Sequence, residues 1–168
     1  MIQDSITISC WINYSTWGNP ISCTEGGGWN FEEGNGGIRA PFYISGIGYK
    51  TAQSTITSAS LKNRWHMLTS LYDRINSTVK IFIDGELAGS LDTGTTNKIV
   101  YHGGNVIMIG AEAGGSATSP ANTSFIGKIS DVRIYATALS AEDIKSLYNN
   151  SAYIDNQGNI YGAVYEEV

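Results

Sequence analysis

WHMLTSLYDRINSTVKIFIDGELAGSL, residues 65–91, is the stretch that decides how this chain folds. Its first nine residues alternate between two faces, with Met67 on one and Leu68 on the other, a period of two that predicts a β-strand covered on both sides. Asp84-Gly85 then separates two further apolar runs. Because Asp-Gly readily takes positive φ angles, it predicts a tight hairpin turn, which fixes the register of the strands beside it.

Downstream of this stretch the strand signals continue and end in one helix. VIMIG at 106–110 and FIGKISDVRIY at 125–135 predict two more strands. Ser140 as the N-cap, with Asp143 three residues later, makes a capping box with the shorter acid and predicts a helix of about two turns. This helix would bury Ile144 and end near Asn149-Asn150.

Upstream, the signals are weaker. SITISCWI at 5–12 alternates and predicts an early core strand, in which Trp11 is expected to pack rather than to contact a ligand. Residues 20–48 hold eight glycines and predict an irregular segment with only short strand-like pieces. Residues 51–60 are polar and β-branched, which is typical of an exposed or edge strand.

This order of signals over about eighty residues resembles the laminin G-like domain of the concanavalin A-like jelly-roll superfamily. The resemblance rests on Trp65-His66, Tyr72-Asp73, Ile81 to Gly85, Ile109-Gly110, the run from Phe125 to Tyr135, and Leu139 to Ile144. It implies an all-β fold, a two-sheet antiparallel jelly-roll sandwich with one short C-terminal helix followed by a terminal hairpin. We expect residues 1–150 to form the jelly roll and residues 151–168 to form a hairpin packed on the same domain.

Composition and charge exclude several classes of function. The chain has 168 residues, a net charge of -5 and ten scattered Lys and Arg residues, which argues against a nucleic-acid partner. No apolar stretch approaches the roughly 20 residues needed for a membrane span. The first residues lack the pattern of a secretory signal. Related domains carry strands upstream of SITISCWI, so Met1 is either a native start or a fragment boundary.

The C-terminal sequence SAYIDNQGNIYGAVYEEV, residues 151–168, predicts a hairpin with an acidic end. It resembles tails of laminin G-like modules in bacteriophage virion proteins. That resemblance implies a virion or extracellular surface location, with other virion proteins as partners.

The candidate binding residues are aromatic and hydrogen-bonding side chains, mostly in the glycine-rich segment. Aromatic rings stack on sugar faces, and carboxylate, amide and guanidinium groups pair with sugar hydroxyls. The candidates are Trp17, Trp29, Glu32, Asn35, Arg39 and Tyr43, with Tyr49 as an alternative to Tyr43. For Trp29 and Phe31 a second interpretation stays open, in which both rings fold inward and pack.

These residues favour a noncatalytic carbohydrate-binding module whose partner is a host-surface or mucosal polysaccharide. The alternative is a virion structural protein in which the jelly roll is a protein–protein assembly block without sugar binding. A glycosidase is not expected, because glycosidases of this fold place paired carboxylates along one strand. Here Glu32 and Glu33 are adjacent in sequence, and no Ser, Cys or His constellation for nucleophilic catalysis replaces such a pair.

Two further features leave alternatives open. Many relatives bind calcium, and Asp131 matches the family position that sometimes serves a metal, although pairing with Arg133 is the competing interpretation. Cys10 and Cys23 flank a turn signal at 16–20, and a hairpin centred there would place them opposite each other. They are then either a disulfide or, as we prefer, two reduced apolar residues.

Overall fold

A computed structural model describes residues 1–24, 26–102, 106–112 and 124–151, and the backbone of 153–154 and 160–161. The strands are β1 Ile6–Thr16, β2 Ile21–Cys23, β3 Trp29–Asn30, β4 Glu32–Gly34, β5 Gly37–Ile44, β6 Gly48–Thr57, β7 His66–Asp73, β8 Thr78–Ile83, β9 Glu86–Asp92, β10 Met108–Ile109, β11 Ile126–Tyr135, β12 Tyr153–Ile154 and β13 Ile160–Tyr161. A 3₁₀ turn spans Ser58–Leu61, and the helix α1 spans Ala141–Asn150.

Two antiparallel sheets form the sandwich. Sheet A has the order β11-β1-β7-β8-β9. In sheet B, β10 pairs with β2, β2 with β3, and β5 with β3 and β4 on one side and β6 on the other. The strands β12 and β13 form a separate antiparallel hairpin. The fold class expected from the sequence is therefore confirmed.

The core lies between the two sheets and consists of alternating apolar side chains from both. In β5 every second residue faces it, from Ile38 to Ile44, while Arg39 and Tyr43 point the other way. Leu68 and Tyr72 of β7 enter the same core. Burial of these side chains supplies the main free energy that holds the sheets together.

The hairpin predicted from Asp84-Gly85 is confirmed. Asp84 has a φ of 53° and Gly85 a φ of 78°, and the turn pairs Ile83 with Glu86. Two residues with positive φ match the twist of the flanking strands, which is why this dipeptide closes the hairpin without distortion.

The helix covers the outer face of sheet A. Its Ser140 hydroxyl accepts a hydrogen bond from the Asp143 backbone N–H at 3.0 Å, and the Asp143 carboxylate accepts one from the Ser140 N–H at 3.2 Å, as the capping box predicts. The helix has ten residues, nearly three turns. Ile144 is fully buried against Trp11 and neighbouring strand residues. Trp11 is a packing residue, as expected, and its ring stacks on Tyr148 at 5.6 Å between centroids.

The glycine-rich segment is not irregular, and this expectation was wrong. Residues 20–48 contain β2, β3, β4 and β5, which make up most of sheet B. Asn35 and Gly36, with φ angles of 51° and 78°, close a tight turn between β4 and β5. At Gly28 a Cβ atom would lie 1.7 Å from the Cys23 carbonyl oxygen, so this glycine permits close approach of two strands.

The hairpin expected to bring Cys10 and Cys23 together was also wrong. Cys10 lies in β1 of sheet A, and Cys23 lies in β2 of sheet B, so the turn at 16–20 connects two sheets instead of two paired strands. Both thiols are free and buried. Burial raises the pKa of Cys10 from 9.0 to about 12 and that of Cys23 to about 11. The interpretation as two reduced apolar residues is confirmed.

The described part of the C-terminal sequence pairs Tyr153 with Tyr161 and Ile154 with Ile160, which agrees with a hairpin. The turn expected at 156–159 lies outside the described residues, and the packing of this hairpin on the jelly roll stays a prediction. Among the described residues, no helix is long and apolar enough to cross a membrane.

Candidate functional site

The outward face of sheet B is polar, in contrast to its core-facing side. Along β5 and its neighbours, Glu32 pairs with Arg39 in register, Arg39 with Gln53, and Tyr43 with Tyr49. Cross-strand partners share a face. The residues that alternate with the buried Ile38, Ala40 and Phe42 thus form one surface directed away from the core.

A cleft of about 390 Å³ opens on this face. Three of the six residues selected from the sequence line it, namely Trp17, Glu32 and Arg39. Its other lining residues are Gly18, Asn19, Glu33 and Glu112.

One wall of the cleft is an ion pair between two strands. Arg39 Nη2 of β5 donates to Glu32 Oε2 of β4 at 2.7 Å, with about a third of each side chain exposed. The Asn30 side-chain amide also donates to Glu32 Oε1, at 3.4 Å. Both charged groups are therefore held by a rigid sheet, which is the arrangement that favours a preorganised site.

The sequence did not single out Glu112, a further carboxylate of the cleft. Glu112 accepts hydrogen bonds from the Asn19 amide at 3.1 Å and from the Thr24 hydroxyl at 3.2 Å, across more than eighty residues of sequence. Glu33 accepts one from the Ser58 hydroxyl. Glu112 sits in a small-residue stretch without a recognisable motif, so no local pattern could have indicated its place in the cleft.

Trp17 is half-buried and joins the cleft to the core. Its ring packs edge-on against Tyr14, with 5.2 Å between centroids, and against Phe125 at 6.4 Å. Its Nε1 atom has no hydrogen-bond acceptor within the described ranges. Aromatic neighbours thus hold the indole in place, and its Nε1–H donor lies beside the cleft without an acceptor in the described part of the chain.

Tyr43 lies farther along the same face and belongs to a group of three rings. It contacts Tyr49 edge-on at 4.9 Å and His102 at 5.6 Å between centroids. The Tyr49 hydroxyl donates to the Gly27 carbonyl at 3.1 Å. Four residues of strand separate Tyr43 from Arg39, about 13 Å.

Two sequence candidates lie elsewhere. Trp29 is only 2% exposed, belongs to the core, and donates from Nε1 to the Tyr101 hydroxyl at 3.1 Å. Phe31 is fully buried as well, so the packing alternative describes both rings and Trp29 offers no face to a sugar. Trp29 pairs with Phe42, and this register turns it inward. Asn35 is exposed in the β4–β5 turn and does not line the cleft.

The metal candidate Asp131 is paired with an arginine. Asp131 lies at an irregularity of β11 with a φ of 48°, and its carboxylate accepts from Arg133 Nε at 2.7 Å. This is the competing interpretation given above. Across the described ranges, no group of three or more His, Cys, Asp or Glu residues is arranged to hold a metal ion.

Other grooves offer less for recognition. A groove of about 480 Å³ lies between the Asp84-Gly85 turn and α1. Of its three charged residues, Glu86 and Lys145 are paired with each other and Glu142 is the third; its one aromatic residue, Phe82, is buried. The cleft on sheet B is therefore the better candidate.

Comparison with known proteins agrees with this architecture. A laminin G domain model, described as concanavalin A-like lectin/glucanases superfamily, matches residues 2–145. The chain belongs to this superfamily. It is also 28% identical over 122 residues, 70% of the chain, to the rat (Rattus norvegicus) sushi, von Willebrand factor type A, EGF and pentraxin domain-containing protein 1. The match spans 3% of that relative's length.

Two solved structures have a similar fold. The heptameric SAP-like pentraxin from Limulus polyphemus has a TM-score of 0.65 at 14% identity, over 86% of this chain and 70% of the pentraxin. The ligand binding domain of botulinum neurotoxin serotype D, solved in complex with N-acetylneuraminic acid, has a TM-score of 0.63 at 21% identity, over 86% of this chain and 36% of the toxin domain. Likeness at these identities shows the fold alone.

Proposed function

We propose that this protein is a noncatalytic glycan-binding module whose site is the cleft on the outward face of sheet B. The observation that carries the proposal is the meeting of Trp17, Glu32 and Arg39 in one cleft of about 390 Å³. A held indole, a carboxylate and a guanidinium are the groups that recognise sugar faces and hydroxyls. The botulinum neurotoxin domain solved with N-acetylneuraminic acid supports the same use of the fold.

The carboxylates of the cleft support binding rather than glycoside hydrolysis. Glu32 is held by Arg39 on the outward face of β4. Glu33, the next residue, also lines the cleft and accepts a hydrogen bond from the Ser58 hydroxyl. Hydrolysis needs one carboxyl group free to donate a proton and a second free to attack or to activate water. Glu32, which is paired with the Arg39 guanidinium, lacks that freedom.

The test is a glycan array followed by titration calorimetry of each bound glycan. We expect Arg39→Ala to weaken binding at least tenfold. The matched control is Arg133→Ala, because Arg133 is also partly exposed and also pairs with a carboxylate at 2.7 Å, but on sheet A. Equal binding by wild type and Arg39→Ala would place any glycan site elsewhere. Silence across the array from the folded protein would reject the proposed function.

We further propose a phage virion or another extracellular surface as the setting, with a host-surface or mucosal polysaccharide as the ligand. The support is the resemblance of residues 151–168 to tails of phage virion proteins. Mass spectrometry of purified particles of a phage that encodes the chain tests this setting. Particles that lack the protein would reject it.

A second candidate function is that of an assembly block in contact with other virion proteins. It is favoured by Ile107, Ile109 and Ile126, each more than half exposed. Ile109 and Ile126 lie close together, because the Phe125 N–H donates to the Gly110 carbonyl at 2.8 Å. Large exposed apolar residues that cluster mark protein contacts.

Capture of purified particle proteins on the immobilised chain tests this second candidate. Ile109→Lys should abolish capture. Ile75→Lys is the control, because Ile75 is exposed in a turn far from the cluster in sequence. Capture that survives Ile109→Lys would reject the assembly surface.

A further inference from the structure

The cleft carries more negative than positive charge. Three carboxylates line it, those of Glu32, Glu33 and Glu112, against the single guanidinium of Arg39. That guanidinium is already paired with Glu32. The positive charge of Arg39 therefore compensates Glu32 only. The charges of Glu33 and Glu112 remain.

Glu33 and Glu112 are held by neutral donors only. Their hydrogen bonds come from the Ser58 hydroxyl to Glu33, and from the Asn19 amide and Thr24 hydroxyl to Glu112. In the described part of the chain neither forms an ion pair, and the remaining residues contain no Lys, Arg or His. Both carboxylates are therefore left without an ion-pair partner from this chain.

The excess negative charge acts on neighbouring groups. Burial raises the pKa of Tyr14 to about 12, and the charge of Glu33 contributes to the rise. Burial also raises the pKa of Tyr49; its hydrogen bond to Gly27 lowers this pKa, and smaller contributions from the charges of Glu32 and Glu112 raise it. Two tyrosines on different strands thus experience the charge of the cleft carboxylates.

A polar atom without a partner lies next to Glu32. Asn30 is 1% exposed, and its amide nitrogen donates to Glu32 while its Oδ1 atom has no hydrogen-bond donor within the described ranges. A buried acceptor without a donor costs free energy, which a ligand that supplies a donor would recover. The three cleft carboxylates and this amide oxygen are acceptors, which pair with the N–H or O–H donors of a ligand.

We infer that the cleft selects glycans that carry a protonated amine, of the glucosamine type, over their N-acetylated counterparts and over sialylated glycans. The inference rests on the proposed function and names the ligand class of that site. An ammonium group supplies three donors and the missing positive charge, so Glu33 and Glu112 would bind it through charge-assisted hydrogen bonds. A sialic acid carboxylate would instead be repelled by both.

The test is titration calorimetry at pH 6 with glucosamine trisaccharide, N-acetylglucosamine trisaccharide, sialyllactose and trilysine. We expect the glucosamine trisaccharide to bind at least tenfold more tightly than its acetylated counterpart, and no binding of sialyllactose. Glu33→Gln and Glu112→Gln should each reduce this ratio severalfold, since both keep the side-chain shape and remove the charge. Glu142→Gln is the control, because Glu142 is exposed on α1.

The outcomes separate this inference from the proposed function. Equal or tighter binding of the N-acetylated trisaccharide, or binding of sialyllactose, would overturn the amine preference and leave glycan binding intact. Trilysine binding as tightly as the glucosamine trisaccharide would overturn the inference in favour of a general cation surface. Absence of binding by every sugar, together with a silent array, would reject both.

Discussion

His66 Nδ1 lies 2.7 Å from Oδ2 of Asp84, the residue that begins the β8–β9 turn. The other carboxylate oxygen of Asp84 accepts the Met67 backbone N–H at 2.9 Å, and the Asp84 N–H donates to the Met67 carbonyl at 2.9 Å. The turn is thereby tied to the neighbouring strand β7. His66 therefore lies at the start of β7 as the side-chain partner of Asp84.

Asp84→Ala should lower the free energy of unfolding by about 2–3 kcal/mol, since it removes the two hydrogen bonds of the Asp84 carboxylate and places alanine at a φ of 53°. Asp84→Asn should cost under about 1 kcal/mol, because Asn tolerates positive φ and keeps an acceptor for the Met67 N–H. Urea unfolding of the two variants measures the difference. Equal losses would show that the turn is not held by this side chain.

Ser140→Ala should lower the free energy of unfolding by about 1 kcal/mol, because the alanine variant leaves the Asp143 N–H without its side-chain acceptor. The loss should be accompanied by a change in Trp fluorescence, since α1 covers Trp11. Glu142→Ala on the exposed side of the same helix turn is the comparison, and it should leave stability within about 0.5 kcal/mol. A similar loss in both variants would argue against the capping box.

The free energy of unfolding should fall as pH rises above 9. Burial raises the pKa of Cys10 from 9.0 to about 12 and that of Tyr14 from 10.0 to about 12. As pH rises, these groups lose their protons first in the unfolded chain, at about their ordinary pKa values. The unfolded state is therefore increasingly favoured over the folded state until the folded groups titrate as well. Each proton contributes a slope of about 1.4 kcal/mol per pH unit. Urea unfolding between pH 8 and 11 measures the slope, and Cys10→Ala should reduce it by one proton. A slope unchanged in that variant would contradict the assignment.

Both thiols should resist alkylation in the native protein and react fully in denaturant, because each is buried with a raised pKa and little thiolate forms near neutral pH. Mass spectrometry after brief iodoacetamide treatment should show no label without urea and two labels with it. A disulfide would instead give no label in either condition.

Trp29→Ala should destabilise the protein by about 3–5 kcal/mol, because it empties a core position and leaves the Tyr101 hydroxyl without the indole donor. Trp17→Ala should destabilise it less, since Trp17 is half exposed, and should weaken glycan binding. Thermal unfolding and calorimetry together distinguish the two roles. If Trp29→Ala instead lost glycan binding and kept its stability, Trp29 would be a binding residue and not a packing residue.

Several elements of the fold could be predicted from short stretches of sequence. The Asp84-Gly85 turn and the Ser140 capping box each depend on a few adjacent residues, and both are present as expected. The strands of sheet B were harder to predict, because each glycine taken alone indicates a loop. The dipeptide Asn35-Gly36 is the same kind of hairpin signal as Asp84-Gly85. The sequences beside it are short and show little alternation of apolar and polar residues, so they did not support a hairpin prediction.

The site could be predicted only in part. Glu32 and Arg39 stand seven residues apart and meet through a local hairpin. Glu112 meets Asn19 and Thr24 across long stretches of sequence, and such contacts depend on the packing of the whole sandwich. Trp29 was misjudged because its register with Phe42, which turns its ring inward, cannot be read from composition.

The helix covers sheet A on one side of the sandwich, while the cleft opens from sheet B on the other. Any partner or matrix that holds the protein by its helix side therefore leaves the cleft directed outward. Copies arrayed in this way would present their clefts in parallel. In that orientation weak single-site affinities for a repeating polysaccharide multiply into strong adhesion, without any new contact within the domain.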